Sequence, residues 1–170
     1  TCAYPDVSEK YPLKEEQLHD GPPTPTNFSY GIAKRMLATN ILACNKQHGT
    51  KYQYLIPCNI YGNDDKWDID RSHYVGALIR KIHYAKTNGL KYIRLMGTGR
   101  PVRQFLHAKD LGIVIRDCIA GGIKESFNVA TDETYNIHEI AKIALKACDA
   151  ENFEIIYDTT MPDGQYRKDA

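Results

Sequence analysis

The chain has 170 residues, of which 42% are hydrophobic, 25% charged and 10% aromatic. This ordinary globular composition excludes disordered, collagen-like and low-complexity classes. Lysine plus arginine (22) against aspartate plus glutamate (21) leave a net charge of +1, so no bulk field draws the chain to nucleic acid or to an anionic membrane. No apolar run approaches the roughly 20 residues that a membrane span needs, and no charged-then-apolar start marks a secretory signal.

The first stretch, residues 5–29, is turn-rich, with Gly21-Pro22-Pro23-Thr24-Pro25-Thr26-Asn27 at its end. Aromatic and acidic residues are mixed into it, so it is expected to be a long ordered loop of the kind that often carries function. Residues 29–48 follow a helical period, with Ile32, Met36, Leu37, Ile41 and Cys44 near one face and Gly49 as the stop. Residues 52–57 (YQYLIP) form a short apolar run suited to a buried strand, and residues 58–71 a loop with acids around Trp67. The acids are expected to be solvated, with a spacing that fits no EF-hand. Trp67 is either a lid or a packing anchor.

A second helix is expected over residues 72–87, with Val75, Leu78, Ile79 and Ile82 as its apolar face and Asn88-Gly89 as its end. Residues 92–95 form a strand, residues 97–101 a turn, residues 105–106 a strand fragment and residues 107–120 a helix closed by Gly121-Gly122. Residues 127–129 form another strand, Asn136 and Glu139 a capping box for a helix to about residue 150, and residues 153–157 a last strand before a Pro162-Asp163-Gly164 turn. Helices alternating with short apolar strands define an α/β fold with some parallel sheet. The alternation begins mid-stride, so the chain is expected to be a piece of a larger α/β protein.

The five cysteines (Cys2, Cys44, Cys58, Cys118, Cys148) are odd in number and contain no CxxC pair. They form neither a disulfide framework nor a zinc site, and a reducing, cytosolic compartment is expected. Cys44, Cys118 and Cys148 lie in helical patterns as small buried hydrophobes. His48, His83 and His138 are expected to be solvated, and His19 and His107 have no stronger claim.

Tyr30 and Lys34 stand four apart on one helix face. An ammonium there stabilises a neighbouring phenolate and makes the tyrosine a usable proton donor. The same spacing also occurs as a plain surface pair, and only context separates the two readings.

That context is a series: Thr1-Cys2-Ala3-Tyr4-Pro5, the proline-rich loop, Tyr30 and Lys34, then Pro57-Cys58-Asn59-Ile60-Tyr61-Gly62. Ser72-His73 follow at a helix start, then Gly97-Thr98-Gly99-Arg100-Pro101-Val102-Arg103-Gln104-Phe105-Leu106-His107, and finally Pro162-Asp163-Gly164-Gln165-Tyr166-Arg167-Lys168. In this order the set resembles the GDP-L-fucose synthase family, 3,5-epimerase-4-reductases of the extended short-chain dehydrogenase/reductase type, across essentially the whole chain.

The resemblance implies the C-terminal half of a Rossmann-type doubly wound sheet plus a small α/β substrate-binding domain. Residues 1–62 would belong to the NADP-binding part and residues 63–170 mainly to the GDP-sugar-binding part, with residues 103–129 returning to the former. Tyr30 would protonate the C4 oxygen as NADPH delivers hydride, and Lys34 would hold the cofactor ribose and tune Tyr30. Cys2 matches the epimerisation base and His73 its acid partner, also placed beside the cofactor. Pro57, Cys58, Asn59 and Ile60 match the segment along the nicotinamide, with Cys2 and Asn59 also facing the substrate. Lys81, Arg103 and Lys168 match positions that hold the nucleotide-sugar diphosphate, and Asp163 lies in the same closing loop. The implied partners are NADP(H), a GDP-4-keto-sugar and a second copy of the chain as a homodimer, without nucleic acid, membrane or metal.

The residue types suit that chemistry. A C4 ketone acidifies the protons on C3 and C5, and inversion needs a base on one face and an acid on the other. Cysteine and histidine exchange protons near neutrality, and a diphosphate requires arginine and lysine from separate segments. On the residues alone, Cys2 is alternatively a structural thiol and Arg103 a partner for an acid.

Three departures stand beside the resemblance. The glycine-rich dinucleotide turn is absent, since the one GxG, Gly97 to Gly99, follows the second helix. The family's serine would fall just before the first residue. Met96 stands where the family places a tryptophan, which leaves open a 4-keto-heptose or another GDP-4-keto-sugar, an enzyme that only reduces or only epimerises, or a non-catalytic nucleotide-sugar binder. The piece alone is expected to be inactive.

Overall fold

The computed structural model describes residues 2–68 and 71–170. In chain order the elements are α1 (Phe28–His48), β1 (Leu55–Pro57), β2 (Asn59–Tyr61), α2 (Tyr74–Thr87), β3 (Tyr92–Met96), β4 (Val102–Arg103), β5 (Phe105–His107), α3 (Ala108–Ile119), β6 (Phe127–Val129), β7 (Tyr135–Asn136), α4 (Ile137–Ala147), β8 (Glu154–Asp158) and β9 (Arg167–Lys168). Two short 3-10 turns, Glu15–His19 and Pro25–Asn27, give the proline-rich loop its order. No helix among the described residues is long and apolar enough to cross a membrane.

The chain divides into two compact units. The first comprises Thr1–Ile60, Gln104–Asp132 and Lys168–Ala170, and the second Tyr61–Arg103 and Glu133–Arg167.

In the first unit β1 runs parallel to β6, pairing Leu55 with Phe127, Ile56 with Asn128 and Pro57 with Val129, while β2 lies beside β5. The strand is shorter than the apolar run that precedes it. Gln53 turns its side chain to the carbonyls of Ile123 and Glu125, and the Tyr54 amide donates to Ser126 Oγ instead of entering a ladder. One core gathers Ala3, Tyr4, Leu13, Leu18, Ala38, Tyr54 and Ile56, and a smaller one Cys58, Leu106 and Val129.

The face that α1 buries is not the one its apolar spacing predicts. Gly31, Arg35 and Ala38 are buried, whereas Ile32, Met36 and Leu37 are exposed. Two contacts decide this. A Cβ on Gly31 would stand 2.7 Å from the Cys2 carbonyl oxygen, and Pro23 lies closer still, so only glycine lets the helix approach there. Arg35 then donates from Nε to the Ala3 carbonyl at 2.6 Å and from Nη1 to the Gly21 carbonyl at 2.7 Å. Burial draws the Arg35 guanidinium below its ordinary value, so these bonds are made at a desolvation cost.

The second unit follows its sequence pattern closely. The parallel pair β3–β8 runs in register from Tyr92↔Glu154 to Met96↔Asp158. Ile93 and Leu95 point into a core with Leu78, Ile82 and Ala85 of α2, Ala141 and Leu145 of α4, and Ala150 and Phe153. Complete burial of a side chain such as Leu78 or Ile82 contributes about 1.5–3 kcal/mol each. The expected box at the start of α4 is present: Asn136 Oδ1 accepts from Glu139 N at 2.8 Å, and Glu139 Oε2 accepts from Asn136 N at 2.7 Å. A small antiparallel pair, β4 with β7, joins Val102 to Asn136 and Arg103 to Tyr135.

Other expectations are corrected. Cys44, Cys118 and Cys148 are only half-buried, because α1 and α3 expose much of their apolar surface and Cys148 sits at the end of α4. His138 is not simply solvated: its Nδ1 lies 2.7 Å from the Tyr157 hydroxyl, across the top of α4 from β8.

Candidate active site

Cys2 is half-buried at the head of the first unit, and the segment behind it is firmly tied. Tyr4 donates its hydroxyl to Asn128 Oδ1 at 2.7 Å, and Asn128 in turn donates to the Leu13 carbonyl at 3.0 Å and, from its amide, to Glu15 Oε1 at 2.6 Å. Burial pushes the Tyr4 hydroxyl strongly upward, so it stays a neutral donor. The Cys2 carbonyl rests on Gly31, which places the cysteine against the first turn of α1, the turn that carries Tyr30. Tyr30 is half-exposed, and Lys34 Nζ lies 5.5 Å from its ring centroid, one helical turn on. Burial first, and the neighbouring Tyr30 second, push the Tyr54 hydroxyl up behind them.

Lys168 Nζ stands 3.4 Å from Cys2 Sγ. The end of the chain is held there by Gln104, which is buried: its Oε1 accepts from Ala170 N at 2.8 Å, and its Nε2 donates to the carbonyls of Thr131 at 2.6 Å and Ala170 at 3.2 Å. Leu13 N donates to the Asp169 carbonyl at 2.8 Å from the other side.

The segment of Pro57, Cys58, Asn59 and Ile60 carries the chain from the end of β1 into β2. Cys58 N donates to the Val129 carbonyl at 3.0 Å, and Asn59 Nδ2 to the Gln104 carbonyl at 2.8 Å, which fixes the segment's path. Burial pushes the Cys58 thiol up, so it stays protonated and is a poor candidate for a base.

In the second unit Met96 ends β3 and is exposed, and the chain turns at Gly97, whose φ of 75° suits glycine. Asp163 packs on that glycine and takes two hydrogen bonds from Thr98, from N at 2.5 Å and from Oγ1 at 2.7 Å. The backbone bond, then the hydroxyl bond, hold its carboxyl below the usual carboxylate range. Arg103 donates to the carbonyls of Val102 at 2.7 Å and Gln165 at 2.5 Å. Met96, Asp163 and Arg103 are thereby gathered at one end of the β3–β8 pair. Lys81 reaches the Arg94 carbonyl, two residues up the same strand, at 2.8 Å, and burial lowers its affinity for the proton.

His73 is the N-cap residue of α2, and its Nδ1 lies 3.4 Å from Asp65 Oδ1. Asp65 was expected to be one of a solvated run; its side chain is only 13% exposed. The Trp67 carbonyl accepts from Arg80 Nη1 at 2.6 Å while its side chain stays exposed. Of that run, Asp70 lies outside the described residues. Sequence reasoning missed Arg35, Gln104 and Asn128 as the anchors of Cys2 and Lys168. Asn128 alone left a signal, a polar residue in the centre of a short apolar strand.

The fold is thus a mixed α/β architecture with parallel strand pairs, and tyrosine, lysine, cysteine and histidine are residue types able to transfer protons. Residues 1–149 match the NAD dependent epimerase/dehydratase family, and the chain belongs to that family. Among its curated relatives is a GDP-L-fucose synthase of Dictyostelium discoideum, 34% identical over all of this chain and 53% of the relative. The crystal structure of a GDP-L-fucose synthetase from Naegleria fowleri bound to NADP superposes with a TM-score of 0.83 at 28% identity, over 99% of this chain and 54% of that one. A GDP-6-OMe-4-keto-L-xylo-heptose reductase from C. jejuni gives a TM-score of 0.86 at 25% identity, over 99% and 59%. The chain spans about half the length of the curated relatives it matches.

Proposed function

We propose that the protein containing this chain is an NADPH-dependent epimerase-reductase that converts a GDP-4-keto-6-deoxy-hexose to GDP-L-fucose. The observation that carries this reading lies in the first unit: Cys2, with Lys168 3.4 Å from its sulfur, is held against the helical turn that bears Tyr30 and Lys34. The names of the relatives from Dictyostelium and Naegleria point the same way.

The residues that suit the nicotinamide end of the cofactor are Tyr30, Lys34 and the tethered segment around Asn59. They offer a hydroxyl, an ammonium and a tethered junction between β1 and β2, and the family's dependence on NAD agrees. When bound, the cofactor supplies the hydride for C4. This chain's own residues do the proton work. Cys2, with Lys168 beside its sulfur, acts as the base that removes the proton from the carbon next to the ketone. His73 returns a proton to that carbon on the opposite face. Tyr30 then gives its hydroxyl proton to the C4 oxygen, with Lys34 stabilising the phenolate left behind. Lys81, Arg103 and Lys168 supply positive charge for the diphosphate, and Asp163 shapes the Gly97–Thr98 turn that borders it.

A second reading, reduction of a GDP-4-keto-heptose without epimerisation, is favoured by Met96, an exposed flexible side chain at a position the substrate would touch, and by the heptose reductase neighbour. The cytosol is the expected compartment, and a homodimer the expected assembly, supported by the exposed Phe28, Met36 and Leu42 on α1. The test uses the full-length protein with NADPH and GDP-4-keto-6-deoxy-mannose in heavy water. Deuterium at both C3 and C5 of a reduced product is the expected result. Reduction without label would replace this reading by that of a plain 4-reductase.

A further inference from the structure

Among the acids before α2, Asp65 is set apart. Its side chain is 13% exposed, against 74% for that of His73. Gly76 explains how it is seated: a Cβ there would stand 3.3 Å from the Lys66 carbonyl oxygen and 3.7 Å from Asp65 Oδ2, so glycine lets the loop lie on the first turn of α2. Asp65 Oδ1 accepts from Lys66 N at 2.7 Å and lies 3.4 Å from His73 Nδ1. Asp65 Oδ2 is buried and has no hydrogen-bond partner among the described residues. A carboxylate oxygen buried without a partner weakens a fold, so stability alone does not account for the arrangement.

We propose that Asp65 is a positioning residue for His73: it accepts the Nδ1 proton, fixes the tautomer and orientation of the ring, and leaves Nε2 to hand its proton to the substrate carbon. The inference rests on His73 acting as the acid that returns a proton in epimerisation. The step balances. The Nε2–H bond breaks, a C–H bond forms at the carbanionic carbon, and the imidazolium becomes a neutral imidazole with its proton on Nδ1 and a lone pair on Nε2. Asp65 neither gains nor loses a proton in the step. His73 stands at the N-cap position of α2, where a positive ring opposes the helix dipole, and the Asp65 carboxylate at the same end compensates for it. The separation of 3.4 Å is long for a hydrogen bond, as catalytic hydrogen bonds often are before substrate arrives, and a small rotation of the exposed ring shortens it.

The test is long-range proton–nitrogen NMR of the full-length protein labelled at histidine nitrogen, with His73→Gln to assign the signal. In the unsubstituted protein the neutral His73 ring is expected to carry its proton on Nδ1; a proton on Nε2 overturns the proposal without any variant. Asp65→Ala is expected to move the tautomer ratio toward Nε2–H on the order of tenfold and to slow solvent-deuterium entry into the substrate by roughly 10- to 100-fold, with partial rescue in Asp65→Glu. A folded Asp65→Ala protein with an unchanged tautomer overturns the proposal. Absence of deuterium entry in the unsubstituted protein would instead defeat the epimerase reading, while the NMR arm still decides whether Asp65 governs the ring.

Discussion

The two units bury their helices by different means. In the second, α2 and α4 lay regular apolar faces on the β3–β8 pair, and Leu78, Ile82, Ala141 and Leu145 disappear from solvent as their spacing predicts. In the first, α1 leaves Met36 and Leu42 exposed, α3 buries no residue completely, and the fixed points are polar: Arg35 on two carbonyls, Asn128 on Tyr4 and Leu13, Gln104 on Thr131 and Ala170. The difference teaches where precision is bought. Apolar burial is non-directional and makes a stable body; hydrogen bonds from buried side chains set the position of one loop against another, as Cys2 and Lys168 need.

The contrast is open to breaking. Ile82→Ala should cost about 2–5 kcal/mol, read from the urea midpoint, because it removes a completely buried side chain from a packed core. Arg35→Met should cost about 1–3 kcal/mol by stranding the carbonyls of Ala3 and Gly21, and it should slow deuterium entry more than it slows reduction, since it loosens the Cys2 segment. Equal losses in both rates would show that Arg35 does not act through Cys2.

Asn136→Ala should cost about 1 kcal/mol through the lost cap on α4, seen as a lower thermal midpoint. Asp163 adds a pH dependence of known sign. Its folded carboxyl lies below the ordinary value, so its contribution is present above the unfolded value and fades as pH falls through the depressed folded one. An acid titration of stability should therefore flatten in Asp163→Asn. Met36→Ala, on the exposed side of α1, should change monomer stability by less than about 0.5 kcal/mol, and a larger change would show that this side is covered in solution.

The sequence by itself determined the α/β alternation, the extents of α1, α2 and α4 to within a few residues, the capping box at Asn136 and the apolar face of α2. These are local signals, periodicity and capping chemistry, repeated over enough residues to be read. The same is true of the pairing of Tyr30 with Lys34, which one helical turn guarantees.

Only the tertiary structure decided the rest. The two- and three-residue strands β2, β4, β7 and β9 carry no period to read, because their ladders are set by the partner and not by their own pattern. The face α1 buries was chosen by Gly31 against Cys2 and Pro23, a close approach that a helical period cannot reveal. Lys168 meets Cys2 from the far end of the chain, 166 residues away. Asp65 leaves solvent because a glycine on α2 gives its loop somewhere to lie. In each case the deciding energy lies in a contact between segments distant in sequence, and spacing along the chain carries no record of it.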